Sequence, residues 1–273
     1  MTDDLDAVDY FSDPSLIGNP HDYLDHLRSK CPVAREPHHG VMVVTGLDEG
    51  SAAFADVDSF SACIAPNGPL PGFPVSLEGH ESDDISELIA QHRDALPLSK
   101  EIMTLDPPEH TRQRGLMMRQ FSPRRVEETV DAMVGLADDE IDRFIDNGSC
   151  NFVQEFAAPY ALLNICSLMG VPEEDRAEFR VEMLGEHRDR GLGNIEKKVN
   201  LDPFAFLRDR FTRYVQERRA EPRDDVLTRM AQATFPDGST PTVDEVTHLA
   251  TDLFIGGSGT TAHLLGCSFL RLA

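Results

Sequence analysis

The second half of this chain consists of one helix signal after another, and this feature constrains the fold most. From residue 105 onward, apolar residues recur with the 3.6-residue period of an α-helix, and Gly or Pro marks the ends of the periodic stretches. The pattern predicts helices over Ser122–Phe144, Phe152–Met169, Pro172–Asp189, Pro203–Ala220, Asp224–Ala233 and from Thr242 to the last residue. A start signal at Asp106, with Pro at the first helical position and Glu109 at the third, predicts one more. We therefore predict a mainly α-helical fold.

The N-terminal part has a different character. Apolar spacing predicts one short helix over Pro20–Lys30 and another over Leu47–Ala55. Two brief strands, Val33–Arg35 and Val41–Thr45, are expected between them. Residues Ala62–Pro97 are rich in Pro, Gly, Ser and Asp and have weak periodicity, so we expect a long loop there. Because there is no internal repeat and no low-complexity linker, we expect residues 1–273 to form a single domain.

Composition restricts the partners and the compartment. The formal net charge is −23 and the sequence pI is about 4.6, so the surface should repel nucleic acid and anionic membranes. The first residues lack the basic and apolar segments of a signal peptide, and no stretch approaches the roughly 18 apolar residues of a membrane span. The 5 cysteines are widely spaced, without a C-x-x-C pair. We therefore expect a cytoplasmic protein with structural cysteines that binds neither nucleic acid nor membranes.

The last predicted helix contains a cluster of glycines. Gly256, Gly257 and Gly259 lie within a stretch of helical spacing, where each glycine costs about 1 kcal/mol relative to Ala. One explanation is that one helix ends at Gly256 and another begins at Ser258 or Thr260. Another is that a flat, bulky group packs against the backbone where side chains are missing. A phosphate-binding turn is a weaker alternative, because such a turn should follow a strand and no Lys stands where a nucleotide motif needs one.

Helical spacing aligns polar residues with these glycines. Asp252, Gly256, Gly259 and His263 recur at i, i+4, i+7 and i+11, so they form one narrow stripe. Thr260 borders the stripe, and its hydroxyl can bond to a backbone carbonyl one turn earlier. From these residues alone, a kinked core helix and a helix that faces a cofactor explain the pattern equally well.

A second candidate site lies at the helix start near Asp106. His110 and Arg114 are four residues apart, so they share a face near a helix N-terminus, where partial positive charge collects. Such a pair could hold an anion with two carboxylates by charge-assisted hydrogen bonds. The alternative is an ordinary solvated pair, because surface pairs of this kind are common.

Taken together, these two segments resemble the cytochrome P-450 family. Leu105–Arg114 is similar to the haem-propionate helix of its soluble bacterial members, and Gly256–Thr261 is similar to the oxygen-activation motif of their central helix. The order of the segments, the early β element and the intervening helices also agree from about Pro20 onward. The resemblance implies a cytochrome P-450-like helical fold with a small N-terminal β element, incomplete at the C-terminus because the chain stops at Ala273 in mid-helix.

The resemblance also implies haem (iron protoporphyrin IX) as cofactor and assigns roles to individual residues. His110 and Arg114 would hold a haem propionate. Gly256 and Gly257 would let the helix pass close to the porphyrin, and Thr260 would be the catalytic hydroxyl that steers protons during oxygen activation. The implied reaction is a monooxygenation, in which one atom of dioxygen enters a small organic substrate.

Further implications concern the substrate pocket and the electron donor. The loop Ala62–Pro97 would cover the pocket, with Phe179–Arg213 as its lid. Electrons would come from a ferredoxin or a similar redox partner. The predicted propionate helix and its neighbour carry an arginine cluster, formed by Arg112, Arg114, Arg119, Arg124 and Arg125. We expect this cluster to steer an acidic ferredoxin to the haem edge, and the alternative is a set of solvated arginines.

The chain departs from the family pattern in its proton chemistry. Gly259 stands where the family usually has an acid before Thr260, which puts ordinary proton delivery in question. Asp252 lies on the same stripe two turns earlier, and we count it as a candidate catalytic residue. It would relay protons through water, select a polar or cationic substrate, or be a plain helix charge.

A second departure concerns the iron. The family's axial ligand is a cysteine thiolate in a Phe-x-x-Gly-x-x-x-Cys-type loop, and none of the 5 cysteines has this context. We therefore expect no metal ligand in this chain, and we expect it to be the N-terminal portion of a longer monooxygenase, inactive by itself. The rival interpretation is a non-catalytic ligand-binding or regulatory relative that keeps the scaffold without the thiolate.

Overall fold

The computed structural model describes residues 5–65, 73–77, 82, 84–96, 98–185 and 204–272. The described residues up to Ser99 form one compact unit, and those from Lys100 onward form a second. The expectation of a single domain over residues 1–273 stays a prediction.

Besides short 3₁₀ turns, the described part of the first unit contains three α-helices and one antiparallel hairpin. They are α1 (His21–Lys30), β1 (Val33–Arg35), β2 (Met42–Val44), α2 (Leu47–Ala55) and α3 (Ser86–His92). In the hairpin Val33 pairs with Val44, which confirms the predicted β element. The helix α1 confirms the predicted early helix. The helix α3 lies within the predicted loop Ala62–Pro97, of which residues 66–72, 78–81, 83 and 97 lie outside the described part. It forms because Ile89 is buried in a small apolar cluster with Cys63 and Leu96.

The described part of the second unit consists of helices joined by turns and loops, without a strand, which confirms the predicted fold class. Its helices are α4 (Glu109–Met118), α5 (Pro123–Glu127), α6 (Val130–Asp142), α7 (Ala158–Met169), α8 (Glu173–Leu184), α9 (Ala205–Ala220), α10 (Val226–Ala231) and α11 (Val243–Leu272). A π-helical segment, Phe152–Ala157, leads directly into α7. Of the predicted lid Phe179–Arg213, residues 186–203 lie outside the described residues.

Two of the predicted helix boundaries that were wrong have a local explanation. The helix α4 begins at Glu109, not after Asp106, and Asp106 contributes its backbone carbonyl to the His110 N–H at 2.9 Å. A residue that precedes proline is disfavoured in the α region, which delays the helix start. The predicted helix Ser122–Phe144 is two helices, α5 and α6. At the break the Thr129 hydroxyl donates to the carbonyl of Val126, 2.7 Å away, in competition with the helical backbone pattern.

The helix predicted over Pro172–Asp189 ends at Leu184 before Gly185, with residues 186–189 outside the described part, and the one predicted over Asp224–Ala233 spans Val226–Ala231. Predicted ends are confirmed where a local cap fixes them. Gly148 and Gly170 have positive φ values of 69° and 79°, which favour glycine, and they end the helical segments before them. At the start of α11 the Thr242 hydroxyl accepts the Glu245 N–H at 3.1 Å, and the Glu245 carboxylate accepts the Thr242 N–H at 2.7 Å. This reciprocal capping box fixes where α11 begins.

The core of the second unit surrounds the first half of α11. Phe179, Phe211 and Phe254 come from α8, α9 and α11, and they pack with ring centroids 5.3 to 6.2 Å apart. All three are completely buried. Aromatic side chains bury large apolar areas and pack specifically, so this cluster positions the three helices relative to one another.

A buried arginine of α9 connects two further helices of the same unit. Arg218 of α9 is 1% exposed; its Nε donates to Asp225 Oδ2 at 2.6 Å, and its guanidinium also donates to the Gly170 carbonyl at 2.8 Å. Asp225 caps α10, because its other oxygen accepts the Thr228 N–H at 2.7 Å. Arg218 therefore ties the end of α7 and the start of α10 to α9.

Among the described residues, α11 alone is long and apolar enough to cross a membrane by length and composition. This differs from the sequence expectation that no such stretch exists. The buried residues in its first half, including Leu249 and Phe254, belong to the protein core. A core helix of a soluble protein meets the same criterion, so the criterion alone does not place α11 in a membrane.

Candidate functional site

The glycine cluster lies within one continuous helix. Residues Val243–Leu272 are helical without interruption, which excludes a helix end at Gly256 and a strand before the glycines. Among the described residues, a Cβ at Gly256 or Gly259 would meet nothing within 4 Å, whereas a Cβ at Gly257 would lie 2.7 Å from Ile165 Cδ1 of α7. Gly256 and Gly259 therefore border open space, and Gly257 serves the close packing of α11 against α7.

The Thr260 hydroxyl forms the backbone hydrogen bond that its position in the sequence predicts. It is exposed, and its Oγ1 donates to the Gly256 carbonyl at 2.5 Å, one turn earlier. The hydrogen bond holds the hydroxyl beside the two open glycines, where it remains able to accept a hydrogen bond.

The second half of α11 is packed on one face only. Phe269 stacks on Phe152 with centroids 4.1 Å apart, and Ala262 is buried against Ala157 and Ala161. Leu264, in contrast, is 66% exposed. A helix with an exposed apolar residue and bare glycines on its free side presents a surface suited to another apolar group.

His110 and Arg114 lie on α4 as predicted, and neither is buried. Within the part of the chain that the structure describes, neither side chain forms a hydrogen bond or an ion pair. Their neighbour Arg112 differs: its guanidinium donates to Glu109 at 3.1 Å and to Glu245 at 2.9 Å, and it lies 3.3 Å from the centroid of the Phe235 ring. An imidazole and a guanidinium without a described acidic partner on one helix form a candidate anion site.

Asp252 is not on the open part of its stripe. It is only 7% exposed, and its Oδ2 accepts the backbone N–H of Ile102 at 2.6 Å. Ile102 begins the short turn Ile102–Thr104, directly before the segment that leads into α4. Asp252 therefore ties that segment to α11, and the Arg112–Glu245 ion pair ties α4 itself to the first turn of α11.

A buried charge cluster surrounds Asp252. Glu101 is completely buried; its Oε1 accepts from Arg208 of α9 at 3.0 Å and lies 2.9 Å from His248 Nδ1 of α11. Burial, and then the neighbouring charge of Glu101, raise the pKa of Asp252 to about 8. The Asp252 carboxyl is therefore mostly protonated at neutral pH.

The structure connects the two helices that carry the predicted sites, through contacts that sequence reasoning missed. Glu101, Arg208 and His248 stand in no recognisable motif, and Glu101 and His248 are 147 residues apart in sequence. The Arg112–Glu245 pair was missed because Glu245 was interpreted only as part of a capping box. An unpaired charge in an apolar stretch, as at Asp252, was the one available signal.

Among the described cysteines, Cys63 and Cys166 are buried, and Cys31, Cys150 and Cys267 are exposed. Burial raises the pKa of the Cys166 thiol to about 12, which keeps it protonated. The described residues contain no group of three or more His, Cys, Asp or Glu side chains that could hold a metal ion.

Comparison with known proteins gives a consistent result. No protein-family model matches the chain. It is 29% identical over 249 residues to 6-deoxyerythronolide B hydroxylase of Saccharopolyspora erythraea, covering 88% of this chain and 57% of that protein. The structure of substrate-free cytochrome P450 CYP150A6 of Mycobacterium marinum is similar with a TM-score of 0.85 and 43% identity, covering 98% of this chain and 62% of that one. Cytochrome P450 FAS1 of Rhodococcoides fascians is 27% identical over 262 residues, which are 93% of this chain and 60% of that protein. The chain thus spans about three fifths of the length of these relatives.

Proposed function

Because the chain belongs to the cytochrome P-450 family, we propose that it supplies the propionate-binding helix and the central helix of a haem-dependent monooxygenase. Haem is the cofactor of this family. The whole protein would insert one atom of dioxygen into a small organic substrate, with electrons from a ferredoxin-type partner.

One observation carries this proposal. The open glycine face of α11 and the His110 and Arg114 side chains of α4, which have no partner among the described residues, lie on two helices that contact each other through the Arg112–Glu245 ion pair. In the part of the chain that the structure describes, nothing within 4 Å would meet a Cβ at Gly256 or Gly259. His110 and Arg114 have no described partner. A flat apolar group with acidic side arms needs these two features, so the residues present fit haem.

Each residue then has a limited role. His110 and Arg114 would bind a propionate, Gly256 would let the helix backbone approach the macrocycle, and Thr260 would hold a proton donor at its Oγ1. Because Gly257 faces Ile165, we propose a packing role for it in addition to its predicted contact with the porphyrin. The bound haem would supply the chemistry of oxygen activation.

The proposed electron-transfer partner would dock beside α4. Arg112 is already neutralised by Glu109 and Glu245, so it contributes less free charge than its sequence position suggests. The Arg119 side chain is exposed, and it borders a shallow concavity with Thr111 and Pro236. An acidic partner such as a ferredoxin suits this surface, and a cytoplasmic location is consistent with such a partner.

In the full-length protein, His110→Ala and Arg114→Ala should each weaken haem binding about tenfold or more, because each removes a charge-assisted hydrogen bond to an anion. Titration of the haem-free protein with haem, followed by the Soret band, measures the effect. Arg124→Ala is the matched control, since this α5 arginine is 88% exposed and pairs with Glu128 on the surface. Equal haem affinity in all four proteins would contradict the assignment of the anion site.

The chain of residues 1–273, mixed with haem and reduced under carbon monoxide, should not develop the red-shifted Soret band of thiolate ligation. None of its cysteines has the expected loop context, and burial keeps Cys166 as a thiol. Detection of that band would show that one of these cysteines ligates the iron. If the full-length protein also lacks the band but binds small apolar ligands, the non-catalytic relative becomes the better interpretation.

A further inference from the structure

A pair of buried carboxyl groups has oxygen atoms without a donor. Glu101 Oε1 accepts from Arg208, and Asp252 Oδ2 accepts from the Ile102 N–H. The other two oxygens, Glu101 Oε2 and Asp252 Oδ1, are buried and have no donor among the described residues. Buried polar atoms of this kind nearly always have a hydrogen-bond partner.

A shared proton would give the two groups the hydrogen bond that they lack as ions. Glu101 directly precedes Ile102, whose N–H binds Asp252, so the two carboxyl groups are neighbours, and ionised carboxylates can only accept hydrogen bonds. A protonated Asp252 can instead donate to Glu101. Two buried carboxylates in contact cannot both ionise without a large electrostatic cost, so one shared proton is the expected state at neutral pH. The raised pKa of Asp252, about 8, agrees with this geometry.

The pair has a route to solvent through one histidine. His248 Nδ1 lies 2.9 Å from Glu101 Oε1, and its Nε2 lies 3.6 Å from Asp244 Oδ1. The Asp244 side chain is 63% exposed and binds Lys100 at 2.9 Å. The other charged group that faces the pair is Arg208. Histidine can accept a proton at one ring nitrogen and release another from the second, so His248 can exchange protons between the surface and the pair.

We propose that Glu101 and Asp252 share one stored proton, that His248 exchanges it with solvent, and that the pair supplies protons for the reduction of dioxygen. The last part rests on the proposed function.

In the transfer, solvent protonates His248 Nε2, Nδ1 gives its proton to Glu101, and Glu101 passes one to Asp252. The net change is one proton moved inward, without electron transfer. Asp252 lies one helical turn before Gly256 on α11, so the carboxyl pair that holds the proton is close to the open glycine face.

The first test reads the proton directly and needs no haem. Infrared difference spectra of the haem-free full-length protein in H₂O and D₂O should show a protonated carboxyl band at pH 7 that is lost with a midpoint near pH 8. Asp252→Asn should remove the band, and Glu101→Gln should move its midpoint to lower pH, because a neighbouring negative charge is lost. Asp138→Asn, an exposed site on α6 with the same change of charge, should alter nothing. Absence of a titrating band would overturn the proposal.

The pH dependence of the free energy of unfolding provides a second, independent test. A carboxyl whose pKa rises from 3.8 to about 8 on folding binds protons more tightly in the folded state. The free energy of unfolding should therefore fall as pH rises between these values, and it should fall less steeply in Asp252→Asn. Identical slopes in the parent and the variant would count against proton storage.

The third test addresses the use of the proton. In the haem-loaded protein, Asp252→Asn should slow reduction of dioxygen by on the order of 10²-fold and raise the solvent isotope effect, with unchanged haem affinity. An unchanged rate and isotope effect, together with a titrating band, would overturn proton supply while the proposed monooxygenase function stands. A full-length protein that shows the band but never binds haem would overturn the proposed function and, with it, the supply step.

Discussion

Replacing Arg218 by Met should lower the free energy of unfolding of the second unit by about 3–5 kcal/mol. The guanidinium is 1% exposed, and it binds Asp225 and the carbonyl of Gly170. Methionine fills much of the same volume, but it leaves Asp225 as a buried charge without its partner. Removal of one member of a buried ion pair costs far more than the pair itself contributes, because the remaining charge has no compensation. Urea denaturation followed by circular dichroism measures the change.

Two further variants separate this electrostatic cost from lost packing. Arg229→Met removes an arginine that pairs with the fully exposed Asp224, so it should change stability by at most about 1 kcal/mol. Asp225→Asn in the Arg218→Met background removes the stranded charge and keeps a good N-cap for α10, so it should restore part of the loss. If Arg218→Met and Arg229→Met lowered the free energy of unfolding by equally small amounts, the buried Arg218–Asp225 pair would not be important for stability.

Most of the second unit could be predicted because its helices are long, amphipathic and marked by local caps. The αL glycine at Gly170 and the capping box at Thr242 depend on neighbouring residues only. The helix α3 could not be predicted in the same way. It has seven residues, and its burial depends on Cys63 and Leu96, which local periodicity does not reveal.

In the candidate site, too, local features could be predicted from the sequence and long-range contacts could not. That His110 and Arg114 share a helix face follows from their spacing, and so does the hydroxyl bond of Thr260 to the carbonyl four residues earlier. That Asp252 would be buried against Glu101 does not follow from spacing, because it depends on a contact between residues 101 and 252. Helical spacing placed Asp252 correctly on the stripe of Gly256 but could not show where along α11 that stripe passes from the core to open space.

Adjacent glycines on α11 allow the cofactor proposal to be tested against simple packing. Gly257→Val should destabilise the protein by about 1–3 kcal/mol, because a Cβ there would already lie 2.7 Å from Ile165 Cδ1 and 3.1 Å from its Cγ1. Gly256→Ala should instead stabilise the haem-free protein by up to about 1 kcal/mol, since alanine favours a helix and the added methyl meets nothing within 4 Å. Thermal unfolding of the haem-free variants should therefore move in opposite directions.

The decisive comparison uses Gly256→Ala with haem. If α11 approaches the macrocycle at this glycine, the methyl group that stabilises the haem-free helix will occupy space that the cofactor needs. Haem affinity should then fall by about tenfold or more, although the haem-free protein is more stable. Val or Leu at the same position should abolish haem binding and leave the helix intact. A Gly256→Ala variant that gains stability and binds haem as tightly as the parent would contradict a close approach of the cofactor to this glycine.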